Sequence, residues 1–242
     1  MAMMLGKNPP IVDDRTLRFV NYMPAVLPPP PESVRWDAIK GMSDWGMDGN
    51  DRYGNCVIVT AAHIIDAARA NESAILDRIS DTDVIALSNE MRALAGYYLL
   101  DRLKWWRNIG MFETKLHAFV ALNSDHDIIR SAIHIFGHAD VGLMMPSAWE
   151  NSDVWDVGFG RAFKKGSWAG HSVPILGYEI NGNTLYYYAC TWGKIVLITA
   201  QAMDLYCDEL YTSIVPDWFS LDRITPSGFD LGALQRDLMA VA

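Results

Sequence analysis

The spacing of hydrophobic positions changes along the chain, and the change falls near Gly137. An Ala-rich apolar run from Val57 to Ala70 predicts a buried helix. Apolar residues about 3.6 positions apart predict a second helix over Asp83 to Leu103, and a capping Ser124-Asp125 predicts a third over Asp125 to Phe136. The part of the chain before Gly137 is therefore expected to be mostly helical.

After Gly137 the apolar positions come in short runs punctuated by Gly, Pro and Asn, a pattern typical of strands. The predicted strands are Val141 to Met145, His171 to Tyr178, Thr184 to Thr191 and Lys194 to Thr199. The Asn181-Gly182-Asn183 sequence predicts a hairpin turn between two of them. Ala200 to Glu209 is expected to return to helix or turn, and a terminal helix is expected over Asp230 to Ala240. The pattern predicts an α+β fold, with a cleft between a helical half and an antiparallel β half.

Prolines dominate the start of the chain. Pro9-Pro10, Pro24 and Pro28 to Pro31 predict extended, polyproline-like backbone. Such an arm serves either as a strap across the domain surface or as a binding arm for a partner, and both readings stay open. Because proline breaks helices, we expect no helical inhibitory prodomain here. The predicted division is an arm over 1–35, a domain over 36–219 with a mainly helical half (36–136) and a mainly β half (137–219), and a tail over 220–242.

The composition narrows the function classes. Hydrophobic residues make up 50% of the 242 residues and charged residues 20%, which predicts a globular chain long enough for an enzyme. A net charge of -9 argues against nucleic-acid binding, because such binding depends on Lys and Arg that neutralise phosphates. No apolar run approaches the length of a membrane span, and residues 1–10 lack the apolar core of a signal peptide. We therefore expect a soluble protein with no membrane partner.

The cysteines are three, an odd number, and they are widely spaced at Cys56, Cys190 and Cys207. This pattern predicts free thiols in a reducing compartment, although a bridge between Cys190 and Cys207 stays open. His63 lies two helical turns after Cys56 on the same predicted face. Two residues on one helix are too few for a metal site, so His63 is expected to be a buried histidine bonded to backbone. We predict no metal and no cofactor.

Cys56 is the candidate nucleophile. It stands at the predicted start of the first helix, where the first-turn amides carry partial positive charge and stabilise a thiolate. Asn55 is expected to be the N-cap, and Gly54 to allow a sharp turn just before it. A nucleophile of this kind needs a base, and His171 in the β half is the candidate. The alternative is a buried cysteine that acts only as a small hydrophobic residue.

Short motifs around these residues resemble those of the papain-like cysteine peptidase superfamily. The matching segments are Pro31 to Trp36, Asn50 to Cys56, Ala132 to Met145, Gly170 to Val173 and Thr191 to Gly193. The resemblance therefore covers roughly residues 31–200. The loop before Cys56 and the Thr191-Trp192-Gly193-Lys194 motif are more similar still to a poorly characterised branch of such proteins in bacteria and their phages.

The resemblance implies a papain-like fold and roles for individual residues. Cys56 would be the nucleophile and His171 the general base and acid, while Asn50, at the family's glutamine position, and the Cys56 backbone amide would stabilise the oxyanion. The third triad residue of the family is asparagine, and the matching position here is Cys190, a poor hydrogen-bond partner for an imidazole. The cleft would be lined by Gly54, Asn55, Gly170 and Trp192.

Two functions follow from the resemblance. The first is hydrolysis of a peptide or isopeptide amide by a Cys/His dyad, with a peptide or protein as substrate. The second keeps the fold without the chemistry, as an inactive structural or adhesive protein, for example a phage virion component that binds its neighbours through the N-terminal arm. In either case no nucleic acid is implied, and the protein would be cytoplasmic or incorporated in a phage particle.

Overall fold

The computed structural model describes residues 3–19, 29–42, 44–74, 76–94, 97–228 and 230. Its helices are Cys56–Ser73 (α1), Asp81–Leu94 (α2), Leu99–Asn108 (α3), His126–Phe136 (α4) and Ala200–Tyr206 (α5). Its strands are Ser33–Arg35 (β1), Ala118–Ala121 (β2), Ala139–Met145 (β3), Val154–Trp155 (β4), Ala169–Asn181 (β5), Thr184–Thr191 (β6), Lys194–Thr199 (β7) and Cys207–Ile214 (β8). The predicted helix over Asp230 to Ala240 and most of the prolines at 24–31 lie outside the described residues.

The strands form one mixed sheet in the order β2-β8-β3-β5-β6-β7-β4, with β1 added beside the distal part of β5. The pairings are antiparallel except for the short parallel contact between β4 and β7. The β5–β6 hairpin turns at Gly182, whose φ of +62° suits a residue without a side chain. The α+β fold class predicted from the sequence is confirmed.

Helix α1 is the buried helix predicted from the Ala-rich run, and it begins one residue earlier, at Cys56. It packs against β5, and a hydrogen bond of 3.1 Å joins Thr60 Oγ1 on the helix to Ser172 Oγ on the strand. Small alanines such as Ala61 and Ala62, both fully buried, let the helix backbone approach the sheet closely. The position of α1 against β5 places the start of the helix, with Cys56, near the strand that carries His171.

The helix predicted over Asp83 to Leu103 is wrong as a single element, because the structure has two helices, α2 and α3. The sequence between them carries Gly96, and a glycine in a helix interior costs about 1 kcal/mol relative to alanine. Tyr97 folds back instead, and its hydroxyl donates to the Ser88 carbonyl over 3.1 Å. The helix predicted from Asp125 is confirmed as α4, since the Asp125 side chain accepts from two first-turn amides.

Residues 207–214 form a strand that the sequence analysis did not predict. Helix α5 begins at a Thr199 cap and ends at Tyr206, after which β8 inserts between β2 and β3. The Leu-Tyr-Thr-Ser-Ile sequence of β8 is rich in the β-branched and aromatic residues that favour strands. Its second and third residues, Asp208 and Glu209, are therefore carried beside Gly142 of β3, close to the candidate site.

Two main hydrophobic cores lie on either side of the junction between α1 and the sheet. One contains the inward side chains of the sheet with α4 and α5, and the other contains α1, α3 and the aromatic residues that follow β8. The N-terminal residues contact both, since Met3 and Leu5 pack against the first core and Ile11 against the second. Among the helices of the described residues, none has the length and hydrophobicity needed to cross a bilayer.

Candidate active site

The nucleophile candidate lies where the sequence analysis placed it, as the first residue of α1. Cys56 is buried, and Gly54 makes the sharp turn before it with a φ of +59°. Asn55 is the N-cap residue of α1, as predicted, but its side chain makes no cap bond and donates instead to the Asp48 carbonyl at 3.0 Å and to Ser88 Oγ at 3.1 Å. Asn55 thus fixes the loop before the helix, and the first-turn amides of α1 stay free of a side-chain cap.

The base candidate, His171, lies on β5 and precedes Ser172, whose side chain faces Thr60 of α1. Because successive side chains of a strand alternate, the imidazole points to the opposite side of β5, among Trp155 and Trp192. Its Nε2 is 2.9 Å from Thr191 Oγ1 on the neighbouring strand β6. Trp192 stacks on the imidazole at a ring-centroid distance of 4.7 Å and an interplanar angle of 16°, and Trp155 meets it edge-on at 6.4 Å. The ring is therefore held in orientation by one hydrogen bond and two indoles.

The residue that orients His171 is Thr191, and not Cys190 as the motif comparison predicted. Successive side chains of a strand point to opposite faces, so only one of two neighbouring residues on β6 faces the imidazole. Cys190 faces the other way, where its Sγ lies 3.3 Å from His63 Nδ1. Sequence reasoning missed Thr191 because it followed the position of the family motif rather than the two-residue period of the strand.

Cys190 belongs to a separate buried chain of polar groups. His63 contacts Cys190 through Nδ1 and lies 3.0 Å from Asp48 Oδ2 through Nε2, and all three side chains are buried. Burial alone lowers the pKa of His63, but Cys190 and Asp48 outweigh it and raise that pKa well above 6.5. The expectation that backbone groups satisfy His63 is therefore wrong. This chain ties the loop before Cys56, through α1, to β6.

The N-terminal segment of residues 3–8 crosses the junction between Gly54-Cys56 and Gly170-His171, which we call the cleft. The Lys7 amide donates to the Gly170 carbonyl over 3.1 Å, and the Asn8 amide donates to the Tyr97 carbonyl over 3.0 Å. Gly6 lies so close to Gly54 that a Cβ built on it would be 1.6 Å from the Gly54 carbonyl oxygen. The sequence analysis considered only a helical prodomain and did not predict that an extended N-terminal segment would lie across the cleft.

Burial sets the protonation of the two candidate residues. Burial raises the pKa of the Cys56 thiol, although the backbone amides of Ser172, Gly6 and Lys7 donate toward its sulfur and oppose that shift. Burial among the indoles lowers the pKa of His171 to about 3. His171 Nδ1 has no hydrogen-bond partner among the described residues. With the segment in place, the site therefore holds a neutral thiol and a neutral imidazole.

The fold of the chain has close counterparts among solved structures. Xylellain, a cysteine protease from Xylella fastidiosa, superposes with a TM-score of 0.63 over 88% of this chain and 96% of its own, at 12% identity. The fold is that of the papain-like cysteine proteases. Two papain-like proforms are also similar: proCathepsin B S9 from Trypanosoma congolense (TM-score 0.59, 11% identity, 88% and 86% coverage) and procathepsin L 3 of the Tenebrio molitor larval midgut (0.57, 14%, 88% and 76%).

Sequence comparison gives a different result from structural comparison. No protein-family model matches the chain, and none of the curated proteins matches it at the sequence level. The papain-like fold is therefore carried here by a sequence that keeps the helix, the sheet and a few short motifs while most other positions differ. The roles of individual residues have to be argued from their own geometry.

Asn50 is buried in the loop before Cys56, and its backbone amide donates to the Met47 carbonyl over 2.8 Å. No donor among the described residues reaches its side-chain Oδ1. The assignment of Asn50 as an oxyanion donor stays a prediction. Of the other predicted lining residues, Gly54 and Gly170 contact residues 6 and 7 at the cleft, whereas Trp192 is buried in the sheet core and stacks on His171.

The described residues also show the state of the cysteines and the arrangement of possible metal ligands. Cys56, Cys190 and Cys207 are all free, so the bridge between Cys190 and Cys207 does not form. Within residues 3–19, 29–42, 44–74, 76–94, 97–228 and 230, no group of three His, Cys, Asp or Glu side chains is arranged to hold a metal ion. The histidines at 63 and 171 serve the two polar arrangements described above.

Proposed function

We propose that the protein is a papain-like cysteine peptidase that hydrolyses a peptide or isopeptide amide, with Cys56 as nucleophile and His171 as base. The observation that carries the proposal is a thiol at the N-terminus of α1, a helix that packs against β5, the strand whose His171 imidazole Thr191 and Trp192 orient. If the Nε2–H of His171 donates to Thr191, its Nδ1 carries the lone pair that a base needs. The similar solved structures are proteases, which supports the same chemistry for this fold.

The proposed reaction requires that a substrate replaces the N-terminal segment and that the imidazole of His171 turns to reach Cys56. His171 Nδ1 takes the proton of Cys56, and the thiolate, favoured by the α1 amides, attacks the amide carbonyl carbon. The Cys56 backbone amide and Asn50 donate to the oxyanion that forms. The protonated His171 gives its proton to the leaving amine, and then activates water, which releases the acid product and restores the thiol.

A second candidate keeps the fold without turnover. It is favoured by one observation, the burial that leaves the thiol and the imidazole neutral, with no hydrogen bond to His171 Nδ1 among the described residues. In that case the protein would act by binding neighbours, for example in a phage particle. The two candidates differ in whether displacement of residues 3–8 produces a hydrolase.

The test is hydrolysis of fluorescently quenched casein by a Gly6→Ala variant, in which the new Cβ cannot coexist with the Gly54 carbonyl. We expect measurable turnover that Cys56→Ala abolishes in the same background. Cys207→Ala is the matched control, because it removes a free thiol that has no role in the proposed reaction. Two results would contradict the peptidase proposal and favour the second candidate: turnover that persists in the Cys56→Ala variant, or no turnover in the Gly6→Ala variant.

A further inference from the structure

One charged side chain of the N-terminal segment is buried inside the protein. The Lys7 side chain has no exposed surface, and its Nζ lies 3.1 Å from Asp208 Oδ2 and 2.9 Å from Glu209 Oε1. The same ammonium donates to the Asn8 carbonyl over 3.0 Å. Its stem passes over Gly142, where a Cβ would lie 2.4 Å from Lys7 Cε. A side chain at position 142 would therefore close the space that the lysine stem fills.

The pocket is built to hold a cation. Burying a charged ammonium is costly unless partners replace its water, and here two carboxylates that are themselves largely buried do so. A third buried carboxylate, Asp140, lies nearby and pairs with the buried Arg102. The cluster thus contains three carboxylates, and among the described residues the cations paired with them are Lys7 and Arg102. Without a lysine in the pocket, negative charge would be left uncompensated.

The carboxylates respond to each other and to the lysine. Burial raises the pKa of Glu209, Lys7 opposes that shift, and the charges of Asp208 and Asp140 add to it. No donor among the described residues reaches Asp208 Oδ1 or Glu209 Oε2. Acceptor oxygens therefore remain in the pocket beyond those that Lys7 uses, which fits a site for a strongly donating basic group.

The lysine pocket and the sulfur of Cys56 are both contacted by Lys7, the pocket by its side chain and the sulfur by its backbone amide. The amides of Gly6 and Lys7 donate toward Cys56 Sγ, and the Lys7 amide also donates to the Gly170 carbonyl. Gly6 fills the narrow space at Gly54, which admits no Cβ. The segment therefore occupies the cleft as an extended ligand with glycine at the narrow point and lysine in the pocket. Its amides, rather than a carbonyl carbon, face the sulfur, so it covers the thiol without being placed for attack.

We propose that Gly142, Asp208 and Glu209 form a subsite for a lysine side chain, and that the cleft takes extended peptides containing Gly-Lys. Residues 6 and 7 of the chain are then a tethered competitor of those peptides. That a bound peptide is also hydrolysed rests on the proposed function, whereas its recognition through lysine does not.

The first test measures binding without turnover. The full-length chain used for this test carries two substitutions. Cys56→Ala removes the thiol, and Lys7→Glu replaces the attraction between residue 7 and the carboxylates of the pocket by repulsion. The probes are two labelled, blocked peptides, Met-Leu-Gly-Lys-Asn and the same peptide with norleucine for lysine, followed by fluorescence anisotropy. We expect the lysine peptide to bind at least about tenfold more tightly, since one buried charge pair contributes on that order. Equal affinity, or failure of both peptides to bind, overturns the proposal.

Substitution in the pocket should remove the preference. Adding Glu209→Gln to the same chain is expected to bring the two peptide affinities to within about threefold of each other. The matched control is Glu150→Gln, an exposed carboxylate outside the cleft, which should leave the preference intact. A preference for lysine that survives Glu209→Gln together with Asp208→Asn, in a chain whose circular dichroism is unchanged, contradicts the assignment.

A charge exchange tests the same pocket through the tethered segment. In a chain with Cys56 intact, Lys7→Glu is expected to speed iodoacetamide modification of Cys56 at least about tenfold, and adding Glu209→Lys to restore slow modification by reversing the pair. An exchange variant as reactive as Lys7→Glu counts against the pocket. These tests do not need catalysis, so the two proposals can fail separately. A protein that prefers lysine but is inactive would refute only the peptidase proposal. A protein that is active but shows no preference for lysine would refute only the lysine subsite.

Discussion

At the residue scale, the contacts of His171 and His63 depend on which side of a strand each polar group faces. The family motif aligns Cys190 with the residue that orients the base, but the two-residue period of β6 gives that position to Thr191 and turns Cys190 toward His63. The sequence pattern placed Cys56 at the start of a helix and His171 in a strand, and both lie there, because α1 and β5 have strong local patterns. It could not predict Thr191, since the pairing of β5 with β6 decides which hydroxyl meets the imidazole.

The role of Thr191 gives a prediction for the opened Gly6→Ala chain. Thr191→Val keeps the shape but leaves the Nε2–H of His171 without an acceptor, which costs about 1–3 kcal/mol for a buried group. We expect kcat for peptide hydrolysis to fall about tenfold or more with little change in KM. Thr191→Ser, which retains the hydroxyl, should recover most of kcat. Equal rates for the valine and serine variants would show that Thr191 has only a packing role.

At the scale of elements, the extended N-terminal segment controls access to the cleft more directly than any helix does. Residues 3–8 lie between the start of α1 and β5, and the Lys7 pairing with Asp208 joins positions 201 apart in sequence. The sequence analysis predicted extended backbone here from the prolines, but no local signal reveals where an extended segment packs. For the same reason β1 and β2 were not predicted, whereas α1, α4 and the β5–β6 hairpin were, because their patterns are local.

The fit of Gly6 gives a prediction at this scale. Gly6→Ala places a methyl group where the Gly54 carbonyl lies, and backbone cannot move aside as a flexible side chain can. We expect the segment to leave the cleft and Cys56 to be alkylated at least about tenfold faster, which peptide mass spectrometry would measure. Met4→Ala is the control, since Met4 in the same segment is 48% exposed and its truncation leaves the closure intact. Equal rates for the two variants would mean that Gly6 does not control access.

At the scale of the whole molecule, the fold provides a cleft that its own chain closes. The α+β architecture was predictable from the change in hydrophobic spacing near Gly137, and the papain-like arrangement from a few short motifs. Closure was not, because it depends on contacts among the N-terminal residues, the start of α1, β5 and β8. The resulting molecule keeps its thiol and imidazole neutral while closed, and the proposed chemistry requires it to open.

The measurement that tests the central claim most directly is the alkylation rate of Cys56 as a function of pH, in the opened Gly6→Ala chain and in the unmodified chain. In the unmodified chain burial raises the pKa of Cys56, so its rate should stay low at neutral pH and rise only above the unperturbed value of about 8.5. In the opened chain the thiolate gains the α1 amides and a protonated His171, so its rate should rise well below that value and lose this advantage in His171→Ala. An opened chain in which Cys56 titrates at or above about 8.5, with or without His171, would contradict a Cys56/His171 active site.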